Sequence, residues 1–382
     1  MRRHLYTEDH EQYRHVVREF LDREVSPRKD QWDRDRWIPR EVYARAAAAG
    51  VLGLPVPEEY GGAGEPDYRY RMVVHEEIAR VSALSFGLTL ILQDDLVLPY
   101  LLNHADSDQK KRWLPRMASG ESIWAIAMTE PGAGSDLQGI RSTAIRDGDH
   151  YVLNGQKTFI SNGQLGDIVI VVARTDPAAG HRGISLLVVE RGMPGFSRGR
   201  NLDKLGMHAQ DTSELFFTDV RVPVANLLGE EGGGFVALMQ NLPRERVTIG
   251  VTALAIAEQA LADTVAYCKE RNAFGQPIGR FQHSKFLLAE MATEIAVARE
   301  FTDRAITEHC ADRLSTEEAS MVKWWNTELC NRVTDRCVQL HGGYGYMREY
   351  RVGRFWADSR VQSIFGGTTE IQKEIIARSL GL

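Results

Sequence analysis

The sequence predicts an α+β fold in three parts: an N-terminal helical domain over 1–121, a middle antiparallel β domain over 122–228 and a C-terminal four-helix bundle over 229–382. Apolar residues recur at three- and four-residue spacing in the first and last thirds, whereas the middle alternates and is rich in β-branched residues. The order of helices, strands, then helices is also not the βαβ alternation of a Rossmann sheet. Any nucleotide cofactor is therefore held another way.

Each element has its own signal. Over 7–25, Tyr13, Val16, Val17, Phe20 and Leu21 mark an amphipathic helix that Ser26-Pro27 ends. Pro39, the alanines at 46–49 and Gly50 frame a second helix, and further helical patterns fill 67–117. The apolar stretch 84–102 is broken by Gln93, Asp94, Asp95 and Pro99. It falls short of the roughly 20 clean apolar residues of a membrane span and reads as a buried core helix. Strands follow at 122–128, 150–160, 167–173, 183–190 and 213–222, and Asp147-Gly148 and Asn154-Gly155 supply the positive φ of tight hairpins. From 235 onward, turn signals at 274–277, 313–316 and 341–343 separate four long helices.

A chain of 382 residues, 43% hydrophobic, can bury a large core in two or three domains. A net charge of −6 argues against a nucleic-acid partner and for a small-molecule substrate. The N-terminus turns polar after two arginines and lacks the apolar run of a secretory signal, so a cytoplasmic protein is expected. Cys268, Cys310, Cys330 and Cys337 show neither CxxC nor zinc-ligand spacing. They read as reduced core residues, and no metal site is expected. Cys330 and Cys337 would lie roughly 10 Å apart along one helix, too far for a disulfide.

Common catalytic signatures are missing: there is no GxSxG, GxxxxGK[ST] or HExxH, which weakens hydrolase and kinase readings. The glycines at 61–64 and 232–234 lack the strand context of a dinucleotide loop. MTEPGAGSD at 128–136 follows a strand and offers hydroxyls and glycine amides that can approach a pyrophosphate, although a plain glycine-rich turn has the same letters. KTFISNG at 157–163 places Phe159 and Ser161 two apart, on one side of a strand, which suits a flat ring with hydrogen-bonding edges. Phe159 as an ordinary sheet-core residue is the alternative.

Those two blocks, with RNAFGQPIGRFQ, QLHGGYGYMREY and IFGGTTEIQKEIIAR, resemble in order and spacing the signatures of the acyl-CoA dehydrogenase family. The resemblance spans nearly the whole chain. It implies a helical domain, a β domain and a four-helix domain around FAD, in homotetramers whose FAD sites draw on a neighbouring subunit. By resemblance, Ile126, Met128, Thr129 and Ser135 line the flavin and its phosphates, and Phe159 and Ser161 cover the ring and bond its edge near N5. Many relatives have tryptophan where this chain has Phe159, so the ring loses an indole donor. Arg271, Phe274 and Gln282 fall in the block that reaches the neighbour's FAD, where a guanidinium can pair with pyrophosphate. Gln339, Gly342, Gly343, Thr368 and Glu370 match positions holding the adenosine half. Many relatives carry glutamine where this chain has Glu370, and a carboxylate cannot donate.

Abstracting the α proton of an acyl thioester needs a carboxylate base in a mostly apolar pocket. Many members carry it where this chain has Gly366, which cannot act as a base. The long-chain and isovaleryl branches place it on an earlier helix before Arg-Leu, and Leu242-Pro243-Arg244-Glu245-Arg246-Val247 matches with Glu245. Glycine at 366 then leaves space for a carboxylate from another helix, and its N–H remains for the thioester oxygen. Arg246 orders the pocket or the polar end of the substrate, Ser135 also faces substrate, and a surface ion pair of Glu245 with Arg244 or Arg246 is the plain alternative. The resemblance implies conversion of acyl-CoA to trans-2-enoyl-CoA, with electron-transfer flavoprotein as acceptor. An acyl-carrier-protein thioester dehydrogenase, a flavin oxidase or monooxygenase on the same fold, and a flavin-binding protein without turnover are the rivals.

Overall fold

The computed structural model describes residues 3–382. Helices come first: α1 (Glu8–Phe20), α2 (Lys29–Asp35), α3 (Glu41–Ala48), α4 (Tyr68–Arg80), α5 (Leu84–Ile91), α6 (Leu98–His104) and α7 (Ser107–Ala118). Thr7 opens α1 in a capping box with His10. Between α5 and α6 the chain does not leave the helix but widens into a π-helical segment, Leu92–Val97. Of the most apolar window in Leu84–His104, 94% is buried inside the fold, as expected of a core helix. The polar residues that seemed to break it in sequence fall in the π segment.

Strands β1 (Trp124–Ala127), β2 (Thr143–Asp147), β3 (His150–Ser161), β4 (Ile168–Arg174), β5 (Ile184–Glu190), β6 (Phe196–Asn201), β7 (Thr212–Pro223) and β8 (Leu227–Leu228) form one sheet. Its order is β6-β7-β3-β2-β4-β5-β8, with β1 beside β4. Two sequence expectations need correction. The sheet is mixed rather than antiparallel, because β1 runs parallel to β4, pairing Trp124 with Ile168 through Ala127 with Val171. The β2–β3 hairpin lies between these two strands in sequence, so the connection is a crossover. Asn154-Gly155 is not a turn but a bulge inside β3, where the register with β7 shifts between Leu153 and Gly155. Asn154 spends its amide across the strands, accepting from the Asp219 N–H at 2.8 Å and donating to the Asp219 carboxylate at 3.0 Å. Asp147-Gly148 does close the β2–β3 hairpin, with Gly148 at φ +62.

The chain returns to helix in α8 (Gly234–Glu270), then the short ribbon β9 (Asn272–Ala273) and β10 (Gln276–Pro277), then α9 (Gln282–Cys310) and α10 (Thr316–His341). The expected fourth long helix is instead two short ones, α11 (Arg351–Ser359) and α12 (Thr369–Ser379). Glycine-rich segments at 342–346 and 366–367 separate them, with Gly342, Gly366 and Gly367 all at positive φ. Three of the four cysteines are buried as expected, but Cys310, at the end of α9, is exposed. Helix ends are where side chains leave the core face.

Candidate active site

Glu245 lies in the first third of α8 and is 4% exposed. The hydroxyl of Tyr100, on α6 and fully buried, donates to its Oε1 at 2.9 Å. Burial raises the Glu245 carboxyl, against the opposing pull of the Tyr100 hydrogen bond and of Arg246, to a pKa of about 7. The surface ion pair of the plain alternative is absent: Glu245 is inside the fold and among the described residues its hydrogen-bond partner is the tyrosine. Arg246 is 5% exposed and its Nε has no hydrogen-bond partner, while burial lowers its pKa. A buried guanidinium with an open donor can meet a polar ligand group.

Gly366 lies against the same helix. A Cβ built on it would come within 2.4 Å of the Ile249 Cδ1, and Ile249 follows Glu245 by one turn, about 6 Å along the axis. The Cβ position at Gly366 is thus taken up by Ile249, from the same helix as Glu245. The turn it belongs to is fixed from behind. Lys323, on α10 and fully buried, donates to the Gly367 carbonyl at 2.6 Å, and Gln372 Nε2 donates to the same oxygen at 3.0 Å. Burial and then Arg246 push the Lys323 ammonium down to a pKa of about 7. Sequence reasoning missed Tyr100 and Lys323, and the available signal was polar groups set inside apolar helical runs.

A second group of candidates converges at the sheet. The buried Lys157 donates to Glu130 at 2.8 Å and to the Met128 carbonyl at 3.0 Å, and the Thr158 N–H donates to the Thr129 carbonyl at 2.9 Å. Lys157 and Thr158 both turn inward, so β3 bulges and Phe159 is thrown outward at φ +60 and 68% exposed. Phe159 is therefore not a sheet-core residue. A bulky residue at positive φ is strained, and such strain concentrates at functional sites. Ile126, Met128, Thr129 and Ser161 are half-buried, while Gly132, Gly134 and Ser135 lie on an open loop where a Cβ on either glycine would meet nothing within 4 Å. Glu130 anchors that loop, accepting from the Arg141 and Ser142 N–H groups at 2.6 and 3.0 Å.

A third group lies at the far end of α10. Arg271, Gln339, Gly342 and Gly343 line an open pocket of about 450 Å³, with the guanidinium over the Tyr344 ring. Gly342 and Gly343 leave open space where a Cβ would stand. Phe274 and Gly275, at φ +52 and +78, form the two-residue turn of the β9–β10 ribbon, and Phe274 projects 94% exposed at its tip. Gln282, first in α9, is also exposed. Thr368 and Glu370 are not in this pocket. Thr368 caps α12, accepting from the Ile371 N–H at 3.4 Å, and the neighbouring Thr369 bonds Glu328 on α10. From Glu328 to Gln339 is roughly 16 Å along that helix, so Thr368 and Glu370 stand apart from the pocket at Gln339.

The N-terminal, middle and C-terminal acyl-CoA dehydrogenase domain families match residues 7–121, 125–220 and 232–381. The long-chain specific acyl-CoA dehydrogenase of Sus scrofa mitochondria is 46% identical over 99% of this chain and 88% of its own length. An acyl-CoA dehydrogenase from Geobacillus kaustophilus superposes at a TM-score of 0.97 with 49% identity, covering 99% of both chains. A Mycobacterium smegmatis glutaryl-CoA dehydrogenase solved with FADH2 superposes at 0.91 with 30% identity, covering 98% of this chain and 95% of the other. Domain order, fold and sequence agree along almost the whole length, and the chain belongs to the acyl-CoA dehydrogenase family, a family of oxidoreductases.

Proposed function

We propose that the protein is an FAD-dependent dehydrogenase that removes hydrogen from the α and β carbons of an acyl-CoA thioester, with Glu245 as the α-proton base. The observation that carries this is a carboxylate inside the fold with a pKa near 7, bonded by one neutral hydroxyl. Such a group is about half ionised at neutral pH and basic enough to take a proton from carbon next to a thioester.

The residues present fit FAD. The outward Phe159 offers an apolar shield for a flat ring, and the half-buried Ile126, Met128, Thr129 and Ser161 supply apolar and hydrogen-bonding groups. The open glycine loop with Ser135 suits its phosphates, and Arg271, Phe274, Gln282, Gln339, Gly342 and Gly343 suit a pyrophosphate and adenosine presented by a second subunit of a homotetramer. Thr368 and Glu370 serve the subunit's own cofactor. When bound, FAD supplies the acceptor for hydride from the β carbon, and electron-transfer flavoprotein takes the electrons onward.

This chain's own part is proton handling and positioning. Glu245 removes the α proton and holds it on its carboxyl. The Gly366 N–H donates to the thioester oxygen, where negative charge grows as the proton leaves. Lys323 and Gln372 keep that N–H in place by holding the Gly367 carbonyl. Arg246 offers its open donor to the polar end of the substrate.

Glu245→Gln keeps the shape and removes the base. Anaerobic single-turnover reduction of the flavin should slow by about 10²- to 10⁴-fold, or more, while acyl-CoA still binds. Reduction near the wild-type rate would show that the base lies elsewhere. Adding Gly366→Glu should restore part of the loss, limited because φ is +62 there and Ile249 must move aside.

A further inference from the structure

We infer that Tyr100 is a positioning residue for Glu245, aimed at it by the π-helical segment Leu92–Val97 and held on that bearing by the buried Arg71, Asp94, Asp95 and His75 cluster. The inference rests on Glu245 being the base. Its starting point is a feature with no use in the mechanism above: Arg71, His75, Asp94 and Asp95 are each at most 1% exposed.

Arg71 and His75 both bond carboxylates of the π segment. Arg71 Nη1 pairs with Asp94 at 3.0 Å and its Nε with Asp95 at 2.9 Å. Asp94 also accepts from the Gly53 N–H at 2.9 Å. His75 Nε2 meets Asp95 at 3.0 Å, and His75 Nδ1 meets Thr252 Oγ1 at 2.7 Å. Gln93, the third polar residue of the segment, accepts from the Trp124 N–H at 2.9 Å and donates to the Ser122 carbonyl at 3.0 Å. The π segment is therefore bolted to α4, to the loop at Gly53, to the entry of β1 and to α8, the helix that carries Glu245.

Stability alone does not account for this cluster. Buried ion pairs often yield to well-packed apolar residues without loss, and their best-attested use is to fix register. A π turn adds one residue to the helix and rotates everything beyond it by about 100°. Tyr100 stands just beyond it, on α6. A continuous α-helix from Leu84 would point that side chain away from α8. Thr252 follows Glu245 by seven residues, two turns along the same side of α8, so the cluster references the bearing of Tyr100 to the helix it must reach.

The consequence for the base is electrostatic. A hydroxyl donating to a carboxylate favours its ionised form, whereas burial opposes it. Glu245 faces Tyr100 from α6 and Arg246 on its own helix, with Lys323 of α10 behind Arg246 and His104 one turn beyond Tyr100. Tyr100 is its one hydrogen-bond partner among the described residues.

The test is flavin reduction by acyl-CoA in anaerobic single turnover, measured from about pH 6 to about pH 9 around the carboxyl's own titration, on the FAD-loaded enzyme. For Tyr100→Phe the acid limb should move alkaline by about one to two pH units, the worth of a hydrogen bond to a charged group. The rate at high pH should stay close to wild type. A uniform loss at every pH, with the limb unmoved, would mean that Tyr100 only packs and would overturn the inference. Thr252→Val cuts the tie between His75 and α8 and should move the limb in the same direction by less. An unmoved limb in that variant would overturn the part assigned to the cluster. Glu245→Gln run alongside keeps the two readings apart: if it still reduces flavin, the base assignment fails. If it is slow at every pH while Tyr100→Phe behaves as wild type, only the present inference fails.

Discussion

Lys323 shows how much one side chain can decide. Sequence alone makes it an ordinary helix lysine, whereas the structure buries it completely and sets its ammonium on the Gly367 carbonyl beside Arg246. Its folded pKa, about 7, lies below the ordinary lysine value. Between about pH 7 and about pH 10 the unfolded chain therefore binds a proton that the folded protein has released, and stability rises with pH by up to about 1.4 kcal/mol per unit from this group. Lys323→Met removes that dependence. Urea denaturation of FAD-loaded wild type and variant at about pH 6 and pH 9 should show wild type gaining on the variant at the higher pH, and parallel changes would refute the shift. Glu245 was identified from its block, but its partner Tyr100 was not, because the two stand 145 residues apart in the chain.

At the scale of elements, α8 is the spine: it carries Glu245, meets Gly366 through Ile249 and crosses α10 closely at Gly250. A Cβ on Gly250 would fall 2.7 Å from Val322 Cγ1 and 2.9 Å from its carbonyl oxygen. Asn326 also donates to the Gly250 carbonyl at 3.1 Å. Gly250→Ala should therefore force the helices apart and destabilise by about 1–3 kcal/mol. Because Lys323 follows Val322, flavin reduction should fall in the same variant. An unchanged urea midpoint would mean the crossing tolerates a methyl group. The irregularities that sequence did not show, the π segment and the β3 bulges, all depart from a regular period. Their causes are distant partners: Arg71 for Asp94 and Asp95, Asp219 for Asn154, and Glu130 for Lys157.

At the scale of the whole molecule, one chain leaves Arg271, Gln339, Gly342 and Gly343 around an open pocket and Phe274 in solvent, apart from Phe159 and the glycine loop. Under the proposed homotetramer, a cofactor shared between subunits would leave both sets open in one chain. Arg271→Ala should then lower FAD content and weaken assembly together, since cofactor and interface are linked by mass action. Absorbance of the purified variant and its sedimentation read the two effects. Wild-type FAD content would count against a shared site.

The three-part architecture, the family and Glu245 as candidate base were legible in the sequence, because hydrophobic period and short motifs are local properties that survive without coordinates. Only the tertiary structure decided that β1 runs parallel to β4, that Phe159 faces out, that Ile249 fills the space beside Gly366, and that Tyr100 and Lys323 attend the site. Each of these depends on groups far apart in the chain meeting in a dry interior, where burial moves a carboxyl or an ammonium towards neutrality and a single hydroxyl has weight. Sequence names the groups, but packing sets their ionisation and their aim.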